Sequence, residues 1–258
     1  MHTPLCKHAS GKPAEYLATA RSVHMPEMCF TDHAPNPDGV GTKYSMGMDQ
    51  FSDYHAMIAE LQDGTPPAVF FGVEADYYPS CRNHLSNWLP AGGFDLVLGS
   101  IHYLGNWGFD NPDEMDGWKS VDVRGVWKKY FSLLAEAADS GLFDVVGHID
   151  LPKKFGHRLR DKDLQEMAQP VLDRIAAAGI AVELNTGGLR KPVAEIYPSP
   201  LLLSLIRERD IRICFGSDAH EPGQVGMDFD KALMLAREIG YTEFVRFRNR
   251  KMISTPLP

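Results

Sequence analysis

The sequence predicts an α/β protein in which parallel strands alternate with helices and close into a barrel. Three observations carry that expectation. A strand–loop–helix unit recurs about six times along the 258 residues, with no linker or low-complexity stretch between units. The strand-like runs are short and continuously apolar, as strands buried on both faces are. Five of these runs also end alike, in ionisable residues just past the apolar stretch: Asp32-His33, Glu74, His102, His148 and Asp218-Ala219-His220. In a parallel barrel, strand ends of one polarity open at one rim, so these endings converge on one mouth. One domain over residues 1–258 is expected.

The elements follow in order. Met1-His2-Thr3-Pro4-Leu5-Cys6-Lys7-His8 carries two histidines, but no strand leads into them. A helix is predicted over 14–20, and then a strand reaches Asp32-His33. The Pro/Gly-rich stretch 34–41 is a loop long enough to cover a site. Phe51, Tyr54, Met57, Ile58 and Leu61 share one helical face, predicting a helix over 51–62 that breaks at Asp63-Gly64. The strand to Glu74 follows, then a helix over 81–88 ended by Pro90-Ala91-Gly92-Gly93, and then the strand to His102. Residues 105–117 read as a loop, and 121–142 as a helix closing at Ser140-Gly141. After the strand to His148 comes the basic run Lys153-Lys154-Phe155-Gly156-His157-Arg158-Leu159-Arg160. A helix over 163–178 stops at Gly179, a strand over 180–185 enters the turn Thr186-Gly187-Gly188, and a helix spans 200–209. The strand 211–216 ends in Gly216-Ser217-Asp218. A helix over 229–239 stops at Gly240, and 244–253 reads as one closing strand.

A formal charge of −8 disfavours binding polyanions through net charge, and there is neither a basic tract nor an aromatic platform for nucleic acid. A small anion held by a local basic pair stays compatible. Cys6, Cys29, Cys81 and Cys214 have no metal or disulfide spacing and read as reduced thiols. No apolar run of about 18 residues and no charged-then-apolar leader is present, so no membrane association and a cytoplasmic location are expected.

The candidate metal ligands are His2, His8, His33, Glu74, His102, His148, Asp218 and His220. A single strand-end histidine is ordinary, whereas the same placement repeated along the chain indicates a shared centre. Nitrogen and carboxylate donors suit Zn²⁺, Mn²⁺ or Fe²⁺, and so many donors imply two or three clustered divalent ions. Such clusters activate water and neutralise a phosphoryl group. His24, His55, His84 and His157 lack the placement and read as surface residues. Asp32, Asp76 and Asp150 stand beside ligands and either orient imidazoles or cap turns. Arg190, after the Thr-Gly-Gly turn, and Lys153, five residues past His148, are the expected phosphate-binding cations.

Taken together, His2 to His8, Thr31-Asp32-His33-Ala34-Pro35, Gly72-Val73-Glu74-Ala75-Asp76, Ser100-Ile101-His102, Gly147-His148-Ile149-Asp150 and Gly216-Ser217-Asp218-Ala219-His220 resemble the PHP (polymerase and histidinol phosphatase) superfamily. Glu183-Leu184-Asn185-Thr186-Gly187-Gly188-Leu189-Arg190 resembles its histidinol-phosphate phosphatases. The resemblance implies a distorted seven-stranded (β/α)7 TIM-like barrel with a trinuclear centre. By position it implies one ion on His2, Glu74 and Asp218, a second on Glu74, His102 and His148, and a third on His8, His33 and His220. It implies attack on phosphorus by a metal-bridging hydroxide, with Glu74, Asp218 and His220 in catalytic roles and His33, Arg190 and Lys153 at the substrate. Lys153 replaces an arginine of the pattern and so offers a point charge in place of a fork. The pattern's first histidine falls one residue before Met1, so either the start is clipped, the favoured expectation, or the first ion has one ligand fewer. The implied activity is hydrolysis of the monoester L-histidinol phosphate in histidine biosynthesis. The alternatives are another small ester, such as a nucleotide or sugar phosphate, and a catalytically silent binding protein.

Overall fold

In the computed structural model, which describes residues 1–258, the chain begins with α1 (Pro13–Ser22), β1 (Glu27–His33), α2 (Phe51–Ala59), β2 (Ala68–Asp76), α3 (Arg82–Ala91) and β3 (Leu96–Ser100). The two-residue strands β4 (Tyr103–Leu104) and β5 (Trp107–Gly108) precede α4 (Val123–Asp139), β6 (Val145–Val146), α5 (Asp161–Ala178) and β7 (Ala181–Asn185). Then come α6 (Pro200–Arg207), β8 (Ile213–Gly216), α7 (Phe229–Ile239), β9 (Glu243–Arg248) and β10 (Lys251–Pro256).

One sheet runs β1-β2-β3-β6-β7-β8, and every pairing in it is parallel. The connections are helical because parallel neighbours need a long crossover. All five residues of β7 are buried, including Glu183 and Asn185, as strands packed on both faces require. The sheet curls until its edges approach. Met1–His2 spans the gap: Thr31 N–H donates to Met1 O at 2.8 Å, and His2 N–H donates to Ala219 O at 2.9 Å. Six parallel strands, with the Met1–His2 segment between the outer two, form the wall of the distorted barrel that the resemblance implies.

Helices cover the outside. The largest apolar face is that of α4, which buries Val126, Trp127, Tyr130, Phe131 and Leu134. Inside, Leu98, Val145 and Ala181 near the strand starts meet Val245 and Phe247 of β9, which plug that end. A cavity of about 570 Å³ lies within the wall, with Cys29, Leu98, Cys214 and Phe215 among its lining. No helix is long and apolar enough to cross a membrane.

Three sequence expectations change. The closing strand is a hairpin, β9–β10, because Asn249 and Arg250 both take positive φ, 49° and 61°, which reverses a right-twisted pair. The loop 105–117 contains the β4–β5 hairpin around Gly105 (φ 73°) and a 3₁₀ run, Pro112–Ser120, capped by the Asn111 side chain. Pro90 lies inside α3 instead of ending it; it sits in the last turn, one residue before the helix stops at Ala91.

Candidate metal centre

The register of the sheet builds the rim. His33, the last residue of β1, lies beside Glu74 of β2, and Asp76 lies beside Ser100 at the end of β3. His102, His148 and Asp218 each stand two residues past their strands, β3, β6 and β8. Asp218 adopts φ 48°, a left-handed conformation that Asp tolerates, and this turns the chain sharply at the rim. His8 and His220 come from loops on the open side of the mouth.

Glu74 is the centre of the arrangement. Its Oε2 lies 3.3 Å from His2 Nε2 and 3.9 Å from His33 Nδ1, while its Oε1 lies 3.1 Å from His148 Nε2 and 3.6 Å from His102 Nε2. One carboxylate thus faces two clusters with different oxygens. His2 Nε2 is also 3.1 Å from Asp218 Oδ1, completing the first cluster. In the second, His102 Nε2 and His148 Nε2 face each other at 3.3 Å. In the third, His8 Nε2 and His220 Nε2 face each other at 3.0 Å, with the His33 ring 5.3 Å from that of His8. All eight candidate ligands named from sequence converge on this mouth.

Supporting residues fix the ring orientations. Asp76 Oδ1 lies 2.6 Å from His102 Nδ1, which turns Nε2 toward Glu74. His8 Nδ1 sits 2.8 Å from Cys6 O, and His220 Nδ1 3.0 Å from Asp218 O. Asp32 accepts the Thr3 N–H and hydroxyl and lies 3.5 Å from His2 Nδ1. Ser100 Oγ, which sequence reasoning did not single out, donates to Glu74 Oε1 at 2.5 Å. Asp150 binds Ser199 N–H and Lys153 and makes no bond to an imidazole. His24 and His55 are exposed as expected, but His84 and His157 are half-buried, stacked on Trp88 and Trp118.

The electrostatics are those of tightly packed opposite charges. Burial opposes ionisation of Glu74, yet His33, His148 and His2 hold its carboxyl well below the usual range. Burial likewise opposes Asp218, but His220 and His2 hold it well below. Burial works against charge on His102, and Asp76 nonetheless raises it to about 10, helped by Asp110 and Glu74. His33 goes the other way: burial and the neighbouring imidazoles push it down to about 4. Paired imidazole nitrogens pointing at each other, and carboxylate oxygens pointing at them, are donor sets that divalent cations satisfy. The residues present therefore fit two or three divalent ions, and zinc suits the nitrogen-rich part.

The cations at the mouth differ from expectation in one position. Lys153 is buried in the core, and its ammonium lies 2.9 Å from Asp150 Oδ2, 2.7 Å from Glu195 Oε2 and 2.7 Å from Ile196 O. All three of its protons are spoken for, so it has none left for a phosphate. Its neighbour Lys154 instead pairs with Asp110 at 2.9 Å, close enough to His102 and His148 for Asp110 to feel both. Arg190 Nη2 bonds the carbonyls of Ser217 and Asp218, while its buried Nη1 has no partner. The Gly187 amide of the same turn donates to Asn185 Oδ1 at 2.7 Å. Lys154 and Asp110 were missed because a short 3₁₀ turn (Leu151–Phe155) and an irregular loop carry them, and neither has a period that says which side chain faces inward.

Comparison with known proteins agrees with this geometry. Residues 1–187 match the PHP domain family. A Deinococcus radiodurans protein named probable histidinol-phosphatase is 43% identical over 254 residues, covering 98% of this chain and 96% of the relative. The histidinol-phosphatase of Bacillus subtilis is 27% identical, covering 90% and 96%. Among solved structures, a histidinol phosphate phosphatase of Lactococcus lactis, complexed with zinc, L-histidinol and phosphate, superposes with a TM-score of 0.83 at 19% identity, covering 98% of this chain and 97% of that one. The chain belongs to the PHP domain family and, within it, to the histidinol-phosphatases.

Proposed function

We propose that this enzyme hydrolyses L-histidinol phosphate to L-histidinol and inorganic phosphate, with residues 1–258 acting as one catalytic domain. The observation that carries the reading is Glu74, which presents one oxygen to His2 and the other to His102 and His148 inside a single buried mouth. The 43% identity to a relative named for this reaction supports the choice of ester. Divalent ions, when bound, supply charge neutralisation and an activated water.

The chain's own residues do the rest. His2, Glu74 and Asp218 hold one side of the centre, Glu74, His102 and His148 the other, and His8, His33 and His220 the outer edge. Asp76 locks His102 in the tautomer that offers Nε2. Arg190, with its free Nη1, and Lys154 grip the phosphate oxygens from two sides, with Lys154 taking the role expected of Lys153. Asp110 holds Lys154 in place. The partner is thus a small phosphorylated substrate, not nucleic acid, because the mouth offers isolated cations instead of a backbone-length basic track. A cytoplasmic setting fits a biosynthetic step of this kind.

Phosphate release from a panel of monoesters by Mn²⁺- or Zn²⁺-loaded protein tests the reading. A kcat/KM for histidinol phosphate at least about a hundredfold above those for nucleotide and sugar phosphates is expected. Equal rates across the panel would keep phosphatase chemistry and remove the substrate assignment.

A further inference from the structure

The third cluster has a charge problem. The first cluster brings two carboxylates to its histidine, and the second shares Glu74. At the outer edge, His8, His33 and His220 are all imidazoles, with no carboxylate among the three. A divalent ion there would have no anionic ligand from these three side chains.

Cys6 lies in position to supply one. The short turn Pro4–Cys6 is capped by Thr3, and Lys7 closes it with φ 69°, folding Cys6 back beneath His8. Cys6 is fully buried. Its Sγ and the ligand nitrogens of His8 and His220 all lie within 4.8 Å of one another, and Sγ forms a second such group with His2 and Asp32. The neighbouring imidazoles are arranged to accept a cation. The Nε2 atoms of His8 and His220 face each other at 3.0 Å, and the buried His2 turns Nδ1 to the Cys6 and Asp32 side, 3.5 Å from the Asp32 carboxylate.

We propose that Cys6 is a metal ligand: as its thiolate, with His8 and His220, it holds the outermost ion of the centre. On binding, the S–H proton leaves to solvent as the S–metal bond forms, and the thiolate charge offsets the ion. A mixed sulfur–nitrogen set favours zinc over manganese at this position alone, leaving the oxygen-richer cluster around Glu74 and Asp218 open to either. The assignment rests on the mouth being a metal centre, and not on which ester it hydrolyses.

Cobalt reports it directly. Metal-free protein loaded with Co²⁺ should show a near-ultraviolet thiolate-to-cobalt charge-transfer band. Cys6→Ser should lose that band and retain about one ion fewer per chain after dialysis, while Cys29→Ser keeps both. A cobalt-loaded wild type without the band, or a band that survives in Cys6→Ser, overturns the proposal. X-ray absorption of the zinc-loaded, unsubstituted protein needs no variant: a sulfur scatterer at about 2.3 Å supports the ligand, and a shell of nitrogen and oxygen alone refutes it. A protein that binds no cobalt at all would remove the metal centre and Cys6 ligation together, whatever its activity toward esters.

Discussion

At the scale of the residue, the centre depends on side chains that face two ways. Glu74 is the clearest case: both oxygens are committed, and Ser100 Oγ fixes one of them. Glu74→Gln keeps the shape but replaces one anionic oxygen with a donor aimed at imidazole nitrogens. We expect kcat to fall at least about a thousandfold with the metal content reduced, while far-ultraviolet circular dichroism stays unchanged. Full activity in this variant would remove Glu74 from the centre. The adjacent lysines make a sharper contrast. Lys153→Met leaves the buried Asp150 without its cation, while the half-buried Glu195 keeps Arg158, and should cost about 3–5 kcal/mol in denaturant unfolding. Lys154→Gln retains a donor for Asp110, so it should leave stability nearly intact and raise KM for phosphate esters about tenfold or more. The reverse pattern would return the substrate role to Lys153. Sequence alone could not separate these neighbours, because side-chain direction in an isolated 3₁₀ turn has no repeating pattern to read. Five of the candidate ligands were legible for the opposite reason. His33, Glu74, His102, His148 and Asp218 each end or follow an apolar run whose strand character fixes where the chain emerges, so their shared rim is readable from sequence.

At the scale of the element, the barrel wall carries the rim and the C-terminal hairpin closes the far end. Continuous apolar runs gave away the parallel strands, and glycines after the helices marked their ends, as at Gly179 and Gly240, both at positive φ. The β9–β10 hairpin was hidden because its turn is Asn249-Arg250, without the glycine that normally advertises a reversal. That turn also anchors the plug. Arg250 donates from Nε and Nη2 to the Asp144 carboxylate at 3.0 and 3.1 Å and to Leu142 O at 2.6 Å, while Asn249 N–H reaches Asp95 at 2.9 Å. These contacts hold Val245 and Phe247 under Leu98 and Val145. Arg250→Ala should therefore lower unfolding stability by about 1–3 kcal/mol. Because the plug lies at the strand starts, metal content and KM should not change. An unaltered denaturation midpoint would show that apolar packing alone seats the hairpin.

At the scale of the whole molecule, the centre sets how stability depends on pH. In the metal-free protein the carboxylates and imidazoles of the candidate centre neutralise one another, and their shifts fix the signs. Glu74 and Asp218 are held below the usual carboxylate range, so their contribution is present above about pH 4, the unfolded value, and is lost in stronger acid. His33 is pushed down to about 4 and His220 well below its ordinary value, mainly by burial. The unfolded chain therefore binds protons that the folded one refuses, and stability falls as pH drops below about 6.5. His102, raised to about 10 against its burial by Asp76, works oppositely: its contribution is whole below about 6.5 and is lost as pH rises toward 10. The metal-free melting temperature should thus peak near about pH 6.5 and decline on both sides. Ions held by His102 and its neighbours would displace their protons, so ion affinity would grow with pH. An ion at a hundredfold its Kd adds about 2.7 kcal/mol. The gap in melting temperature between loaded and stripped protein should therefore widen steadily from about pH 6 to about pH 9. Calorimetry of both forms across that range measures it, and a gap that stays constant would mean that these imidazoles do not hold the ions.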